Sequence, residues 1–436
     1  MNCGRIWLDT IFNNSQELES VFYGDRLVNL SLCPETQQDL QTLSELRALE
    51  ELSIRNESFS RPLMISYSYL EKLHTNLTCL RSLELRRIEP SGEALTDITV
   101  CDTVRRLRLG SESSRMWNPY FARKYSHLED LELCVREIRT NMSTKEALTA
   151  ASCRRLKRFA CQHFDCRLWF LESLHAIRAP VEELRFGFRE ADLLSKSIHC
   201  YYQTLTKIIF SNAYGIPVPQ LVKQLTACRH LTDLSLFSAS EAMELDLILD
   251  ELNGLEHVHL EAKQIELSKH RTQITHRQLK KVNFSVQDAD SQVWTYLSQY
   301  CPCILSIDCT YGKDMTSSTV MYYLNPGLRY LKVEARGICL YKLVQISEEE
   351  RIRNQNMDHR ELIEKHDDAG STNWYPSDEF SKRYGLLYLE TSKGDSLLHG
   401  SYNDAGNQGE LGSLPVIYIV CHYPDEISIE HHKLYN

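Results

Sequence analysis

Short motifs that mark catalytic or cofactor sites are scarce in this sequence. It contains no H-E-x-x-H, no G-x-S-x-G and no C-x-x-C, so the usual sequence evidence for a zinc protease, a serine hydrolase or a redox centre is missing. The glycine-rich segment 406–412 lacks the Gly-Lys-Ser/Thr of a phosphate-binding loop. Cys421-His422 and His431-His432 match no closed zinc pattern. The sequence therefore predicts no enzyme, no cofactor and no metal.

Long apolar runs and a basic charge balance are also missing. No 18 consecutive apolar residues occur, and the first residues show no basic stretch followed by an apolar run, so we expect neither a membrane span nor a signal peptide. The net charge is −10, which argues against general affinity for nucleic acid or anionic membrane. Fifteen cysteines, an odd number, suit free thiols in a reducing compartment. We expect a cytoplasmic or nuclear protein.

One short phrase recurs along most of the chain instead. In Cys228–Leu236 it reads as L-x-x-L-x-L, with Leu234 and Leu236 on one face of a strand. Twelve intervals of 22 to 31 residues separate its copies, which is the signature of a leucine-rich repeat. The copies start at Leu27, Leu49, Leu80, Val104, Leu128, Leu156, Val181, Leu205, Leu231, Leu255, Leu279, Ile304 and Leu328.

Each predicted strand is followed by a stretch that returns to the next strand, often with helical periodicity. Predicted helices span 93–100, 145–151, 168–177, 218–227, 245–252, 291–300 and 316–324. Strands alternating with helices predict an α/β fold, a right-handed leucine-rich-repeat solenoid (horseshoe) with a parallel concave sheet, outer helices and a C-terminal cap.

Three regions follow from this pattern. Residues 1–26 form an N-terminal cap around Leu8–Phe12, residues 27–339 form a solenoid of about 13 repeats, and residues 340–436 form a C-terminal cap with a flexible charged segment. Within the last region, Leu386–Leu389 and Val416–Val420 have the composition of strands. A hydrolase or transferase hidden in residues 340–436 remains an alternative.

The cysteines follow the repeat register, which favours a packing role over a metal or redox site. Cys101, Cys153, Cys228 and Cys301 each lie three residues before the first leucine position of a repeat. The phrase Cys301-Pro-Cys-Ile-Leu-Ser-Ile-Asp-Cys309 resembles the cysteine-containing repeats of the F-box/LRR proteins, in the ribonuclease-inhibitor-like superfamily. That resemblance covers about residues 27–333. It implies a substrate-recognition module of a cullin-RING ubiquitin ligase, with a Skp-type adaptor and a cullin as partners.

The N-terminal region departs from that family. Leu8-x-x-Ile11-Phe12 is similar to the family's L-x-x-I-F, but three helices of roughly 10–14 residues each do not fit before Leu27. Either the chain is a shortened member, or it uses the repeats without an adaptor-binding box. A regulatory or inhibitor-type repeat protein with no ubiquitin role therefore stays open.

The positions between the leucines should carry function, because they face the concave side. They mix both signs of charge, which suits a specific protein partner better than nucleic acid or a membrane. The predicted partner-binding residues are Arg86, Arg106, Arg108, Asp130, Arg158, Arg185, Lys207, Asp233, His257, His259 and Tyr330.

Two clusters within this set allow more than one interpretation. Arg86, Arg106 and Arg108 gather positive charge that could bind an acidic or phosphorylated segment. The alternative is neutralisation by acidic residues of adjacent strands, namely Glu84, Asp130 and Glu132. Near Phe237, His257 and His259 are either solvated or part of a pH-sensitive contact.

Overall fold

The computed structural model describes most of the repeat region and parts of both ends. The described residues are 6–7, 28–34, 36–56, 61–93, 95–110, 114–133, 153–161, 168–186, 195, 198–211, 217–268, 274–313, 318–353, 365, 373–377, 415–429 and 432–435. The chain divides into two compact units, Met1–Ser211 and Asn212–Asn436.

The N-terminal unit contains eleven described strands. They are β1 (Ile6–Trp7), β2 (Asn29–Leu32), β3 (Glu51–Arg55), β4 (Leu63–Ser66), β5 (Ser82–Arg86), β6 (Ile88–Ser91), β7 (Arg106–Leu109), β8 (Asp130–Leu133), β9 (Arg158–Cys161), β10 (Glu183–Phe186) and β11 (Lys207–Ser211). Nine of them pair in parallel in the order β1-β2-β3-β5-β7-β8-β9-β10-β11, while β4 and β6 pair with each other.

The strand register follows the leucine pattern. Leu83 of β5 pairs with Leu107 of β7, which pairs with Leu131 of β8, and all three side chains are buried. Neighbouring positions point to the other face because side chains alternate along a strand. Equivalent leucine positions therefore stack into continuous buried rows, as the repeat predicts.

Helices complete the core of this unit. A 3₁₀-helix spans Gln37–Glu45, and α-helices span Tyr67–Asn76 (α1), Ser114–Lys124 (α2) and Leu168–Ala176 (α3). The Ser66 hydroxyl caps α1 by accepting a hydrogen bond from the Tyr69 N–H at 3.2 Å. Trp117 is fully buried, and its Nε1–H donates to the Ile88 carbonyl at 2.9 Å. The long interval between Leu49 and Leu80 thus contains β4 and α1.

The C-terminal unit contains eleven described strands and four described helices. The strands are β12 (Asp233–Glu244), β13 (His257–Glu266), β14 (Lys281–Ala289), β15 (Ser306–Tyr311), β16 (Thr319–Tyr323), β17 (Tyr330–Ala335), β18 (Leu340–Gln345), β19 (Asn373–Pro376), β20 (Val416–Cys421), β21 (Glu426–Ile429) and β22 (His432–Tyr435). The helices are α4 (Val218–Leu225), α5 (Leu245–Glu251), α6 (Ser291–Tyr300) and α7 (Glu348–Arg353).

The repeat register continues in this unit. Its main sheet has the order β12-β13-β14-β15-β17-β21-β22, parallel except for the last pair. Leu234, Val258 and Val282 pair in register and are buried. Across the two units, each of the thirteen predicted strand positions holds an observed strand. Both units therefore have the predicted α/β leucine-rich-repeat fold.

A second sheet has the order β16-β20-β18-β19 and joins β16 to three strands from the region predicted as the C-terminal cap, residues 340–436. Thr319, Met321 and Tyr323 alternate on its buried face, and β16 packs against α6. The predicted strand at 416–420 is confirmed as β20. The predicted strand at 386–389, the glycine-rich segment 403–412, the capping residues 8–12 and most of the charged segment 347–368 lie outside the described residues.

Two predicted helices are wrong. No helix forms in the described part of 93–100, where Ile98 and Val100 are not buried, and its β-branched residues are weak helix formers. Segment 316–324 contains β16 instead, because β-branched and aromatic residues at alternating positions pair with β20. The predicted helix 145–151 lies outside the described residues, whereas those at 168–177, 218–227, 245–252 and 291–300 correspond to α3, α4, α5 and α6.

Candidate functional site

Each unit presents one polar sheet face, formed by the strand residues that alternate with the buried leucine positions. We call the two surfaces the N-terminal polar face (strands β2, β3, β5 and β7 to β11) and the C-terminal polar face (strands β12 to β15 and β17). All eleven predicted binding residues lie on them. Arg86, Arg106, Arg108, Asp130, Arg158, Arg185 and Lys207 are on the N-terminal polar face, and Asp233, His257, His259 and Tyr330 are on the C-terminal polar face.

Five side chains of alternating charge cross the N-terminal polar face at one repeat position. Arg106, Asp130, Arg158, Glu183 and Lys207 are consecutive register partners on β7 to β11, and we call them the charge ladder. Asp130 Oδ2 lies 3.0 Å from Arg106 Nε and 3.3 Å from Arg158 Nε. Glu183 Oε1 lies 3.2 Å from Lys207 Nζ. The ion pairs thus link the side chains of β7, β8 and β9 and, separately, those of β10 and β11.

A second group of ion pairs lies beside the charge ladder. Arg108 Nε lies 3.2 Å from Glu132 Oε2, and Arg55 Nη2 lies 3.4 Å from Glu84 Oε1, which also pairs with Arg86. Both glutamates are buried among these partners. Arg86, Arg106 and Arg108 therefore each have an acidic partner, as the second interpretation predicted, on the same strand for Arg86 and on the adjacent strand for the other two. Binding of an acidic or phosphorylated segment by these arginines stays a prediction.

Arg185 differs from the other arginines on this face. It is exposed and lies in register between Ala160 and Ile209, which cannot pair with its charge. Among the described residues it forms no ion pair. Its guanidinium can donate hydrogen bonds to a partner.

A cavity of about 240 Å³ opens on the N-terminal polar face where β2, β3, β5 and β7 are adjacent. Its charged lining combines both signs: Glu51, Arg55, Glu84, Arg106 and Arg108. The rest of the lining consists of small polar side chains and two leucines: Asn29, Leu30, Ser31, Leu52, Ser53 and Ser82. This arrangement suits a polar side chain that both donates and accepts hydrogen bonds.

The C-terminal polar face carries the predicted histidine cluster. His257 Nδ1 lies 2.7 Å from Asp233 Oδ1, and the Thr232 hydroxyl donates to Asp233 Oδ2 at 2.8 Å. The His259 ring packs edge-on against Phe237 with centroids 4.9 Å apart. Burial lowers the pKa of His259, which favours its neutral form. Tyr330 starts β17, four strands from Asp233 in the sheet order.

Buried cysteines behave as packing residues. Cys228, Cys301 and Cys309 are buried free thiols. Burial raises the pKa of Cys228 to about 11 and that of Cys309 further, so neither is a thiolate near neutral pH. Within the described ranges, no group of three or more His, Cys, Asp or Glu side chains could hold a metal ion. No helix in the same ranges is long and apolar enough to span a membrane.

The sequence prediction missed two charged residues of the N-terminal polar face. Glu51 occupies the same repeat position as Arg106 and lies 3.9 Å from its Nη1. Arg55 occupies the same position as Arg86 one strand earlier. Aligning the equivalent strand positions of the first repeats as well would have identified both residues. The exact ion pairs could not have been found this way, because Asp130 has charged neighbours on two sides.

Comparisons with known proteins give structural similarity only. No protein-family model matches the chain, and no curated protein matches it. Internalin C2 of Listeria monocytogenes is similar at 14% identity and a TM-score of 0.27, covering 50% of this chain and 83% of that one.

Two further solved structures are similar at comparable identity. The leucine-rich repeat-containing protein LegL7 of Legionella pneumophila shares 12% identity at a TM-score of 0.34, covering 65% of this chain and 90% of that one. TLR13, in its complex with ssRNA13, shares 14% identity at a TM-score of 0.41, covering 71% of this chain and 54% of that one. The fold assignment above depends on the strand register of this chain itself.

Proposed function

We propose that this chain is a protein-interaction scaffold whose N-terminal polar face binds a protein partner. The charge ladder is the observation that carries the proposal. Its side chains are already held by ion pairs, so a partner would immobilise fewer free rotamers on binding, which lowers the entropic cost. Fixed charges of both signs also discriminate between partners, because a mismatched partner brings like charges together.

A protein suits this surface better than a polyanion. Nucleic acid binding draws its affinity from many lysine and arginine contacts to phosphates, which requires one sign along the whole contact. In the charge ladder, Asp130 and Glu183 interrupt the three basic residues. The chain as a whole carries a net charge of −10, which opposes such binding further.

The finer proposal is a substrate-recognition module similar to those of F-box/LRR proteins. It is supported by the cysteine-containing repeats, such as Cys301–Cys309, whose cysteines are buried at both ends. The polar face would then bind the substrate, and a Skp-type adaptor and a cullin would be further partners in the cytoplasm or nucleus. The alternative is a regulatory or inhibitor-type binding protein without those two partners.

Affinity capture with matched variants tests both levels of the proposal. The test variant is Arg106→Glu/Arg158→Glu, and the control is Lys263→Glu/Lys281→Glu. The control changes the net charge equally, and its lysines are exposed on the C-terminal polar face. Circular dichroism and thermal unfolding establish that both variants are folded.

We expect the wild-type chain and the control to capture the same partner protein, and the test variant to lose it. Capture of that partner by the test variant at wild-type levels would contradict a binding role for the N-terminal polar face. Recovery of a Skp-type adaptor and cullin with all three chains would support the ligase module. Recovery of the partner without them would overturn that finer proposal in favour of the regulatory alternative.

A further inference from the structure

We propose that the partner of the charge ladder is an α-helical segment that carries glutamate and lysine alternately, about one helical turn apart, and lies across the strands. This inference depends on the proposed function, because it names the kind of partner that the N-terminal polar face binds. Three properties of the ladder carry it: its spacing, its alternation of sign and its remaining hydrogen-bonding capacity.

The spacing of the ladder matches a helix. Its five residues lie on adjacent strands, and strands are about 4.8 Å apart, so the ladder is about 19 Å long. Helix positions i, i+4, i+7, i+11 and i+14 share one face and cover about 21 Å. The accumulated difference of about 2 Å is within the reach of glutamate and lysine side chains.

An extended segment in the same orientation matches less well. Its side chains on one face recur about every 6.7 Å, so five of them cover about 27 Å. The fifth such side chain of an extended segment would lie about 8 Å beyond the fifth residue of the ladder. Side-chain flexibility cannot cover that distance without loss of ion pairs. The ladder spacing therefore favours a helix over an extended strand laid across the sheet.

The alternation of sign defines the sequence of the helix. Arg106, Arg158 and Lys207 would face glutamates at i, i+7 and i+14, and Asp130 and Glu183 would face lysines at i+4 and i+11. The same pattern places Glu four residues before Lys, the orientation that stabilises an isolated helix. The free partner segment would thus already favour the bound conformation, which reduces the cost of ordering it.

The ladder keeps capacity for additional hydrogen bonds. Both arginine contacts to Asp130 use the same oxygen, Oδ2, which leaves Oδ1 to accept from a lysine. Arg158 contacts Asp130 through Nε, so its terminal N–H groups can donate to a glutamate. The side chains of Arg106 and Arg158 are 34% and 47% exposed, so a partner can reach them.

Two synthetic helical peptides of equal composition test the inference against the intact chain. The alternating peptide has Glu at i, i+7 and i+14 and Lys at i+4 and i+11. The block peptide has Glu at i, i+4 and i+7 and Lys at i+11 and i+14. Both carry the same staple on the opposite helix face, and circular dichroism verifies equal helicity. Fluorescence anisotropy at physiological salt gives each Kd.

We expect the alternating peptide to bind at least tenfold more tightly than the block peptide. Arg158→Glu should weaken the alternating peptide at least tenfold, and Lys263→Glu/Lys281→Glu should leave its Kd unchanged. Equal Kd values for the two peptides, or no effect of Arg158→Glu, would overturn the inference.

The result separates this inference from the proposed function. If partner capture depends on Arg106 and Arg158 but the alternating peptide does not bind preferentially, the helix inference is wrong and the binding role of the face stands. If partner capture does not depend on these arginines, the proposed function fails, and the inference that depends on it fails too.

Discussion

The two units use the same leucine register but differ in what their polar faces carry. On the N-terminal polar face, two ion pairs join the side chains of β7, β8 and β9, and a third joins those of β10 and β11. On the C-terminal polar face, β12, β13 and β14 are 12, 10 and 9 residues long, and their contacts are a His–Asp pair and a His–Phe contact. Ion pairs of lysine appear there only on β15 and β17 among the described strands, where Lys332 lies 4.0 Å from Asp308 and 2.9 Å from Glu334. The repeat thus determines the backbone, and the exposed positions vary independently of it.

The helical layers differ in a similar way. In the N-terminal unit, Lys124 Nζ lies 2.6 Å from Glu71 Oε2, and the Tyr120 hydroxyl donates to Glu71 Oε1 at 2.8 Å. Lys124 is buried, so this ion pair is largely removed from water. In the C-terminal unit, α5 presents Leu245, Ile248 and Leu249 to the core, and its buried Asp246 accepts hydrogen bonds from the Ser268 N–H and hydroxyl at 2.8 and 2.6 Å. Exposed ion pairs contribute little to stability, whereas a buried one becomes costly when one partner is lost.

The largest expected effect tests the feature that both units share. Leu234→Asp and Leu107→Asp each place an unpaired charge in a buried leucine row. We expect each to lower the free energy of unfolding by about 4 kcal/mol or more, measured by urea denaturation. Ser235→Asp is the control, because Ser235 lies next to Leu234 on the polar face. A Leu234→Asp variant as stable as Ser235→Asp would refute the register.

The next effect separates buried from exposed ion pairs within the N-terminal unit. Lys124→Met leaves the Glu71 carboxylate without its cation, and we expect a loss of about 3 kcal/mol in the free energy of unfolding. Lys207→Met removes a pair whose lysine is 38% exposed, and we expect a loss below about 1 kcal/mol. Urea denaturation measures both, and equal losses would show that burial of the Lys124 pair has no energetic consequence.

A pH effect should come from His74 in the same helical layer. Its Nδ1–H donates to the Leu70 carbonyl at 2.6 Å, so Nε2 is the atom that accepts from the Tyr125 hydroxyl, and burial lowers the pKa of His74 to about 4. In the unfolded chain this histidine has a pKa near 6.5, so the unfolded state binds the proton first as the pH falls. The stability that neutral His74 gives the fold is therefore complete above pH 6.5 and is lost as the pH falls towards 4. The loss should reach about 3 kcal/mol.

Unfolding at several pH values measures this contribution. His74→Gln should give a flatter dependence of stability on pH between 6.5 and 4. His230→Gln is the control, because His230 is exposed. An unchanged slope for His74→Gln would mean that His74 does not carry the pH dependence.

The smallest of these effects compares two glycines. A Cβ at Gly110 would lie 2.8 Å from the Arg86 Cα, closer than such atoms can approach. We therefore expect Gly110→Ala to cost about 2 kcal/mol. At Gly254 the nearest atom would be the Leu231 carbonyl oxygen at 3.5 Å, so Gly254→Ala should stay within about 0.5 kcal/mol of the parent. Equal melting temperatures for the two variants would contradict the close approach of β5 and Gly110.

The sequence was sufficient to predict the repeat strands. It was much less informative about the second sheet and about the ion pairs of the polar faces. A strand such as Asp233–Glu244 is marked by leucines whose spacing is fixed by the core. Segment 319–323 has the β-branched and aromatic composition of a strand, but its partner β20 lies about 100 residues later, and no local pattern identifies that pairing. Most charged positions of the polar face were predicted, apart from Glu51 and Arg55, but Asp130 could have paired with either neighbour. Only the structure shows that it contacts both Arg106 and Arg158.

A charge exchange across the interface would test the central claim, that the charge ladder binds a helix of complementary charge. The measurement is the Kd of the Arg158→Glu chain for the alternating peptide and for a peptide with Lys in place of Glu at i+7. We predict that the exchanged peptide regains at least tenfold of the affinity that Arg158→Glu loses. If both peptides bind the variant equally weakly while the variant remains folded, the ladder does not recognise its partner by charge register.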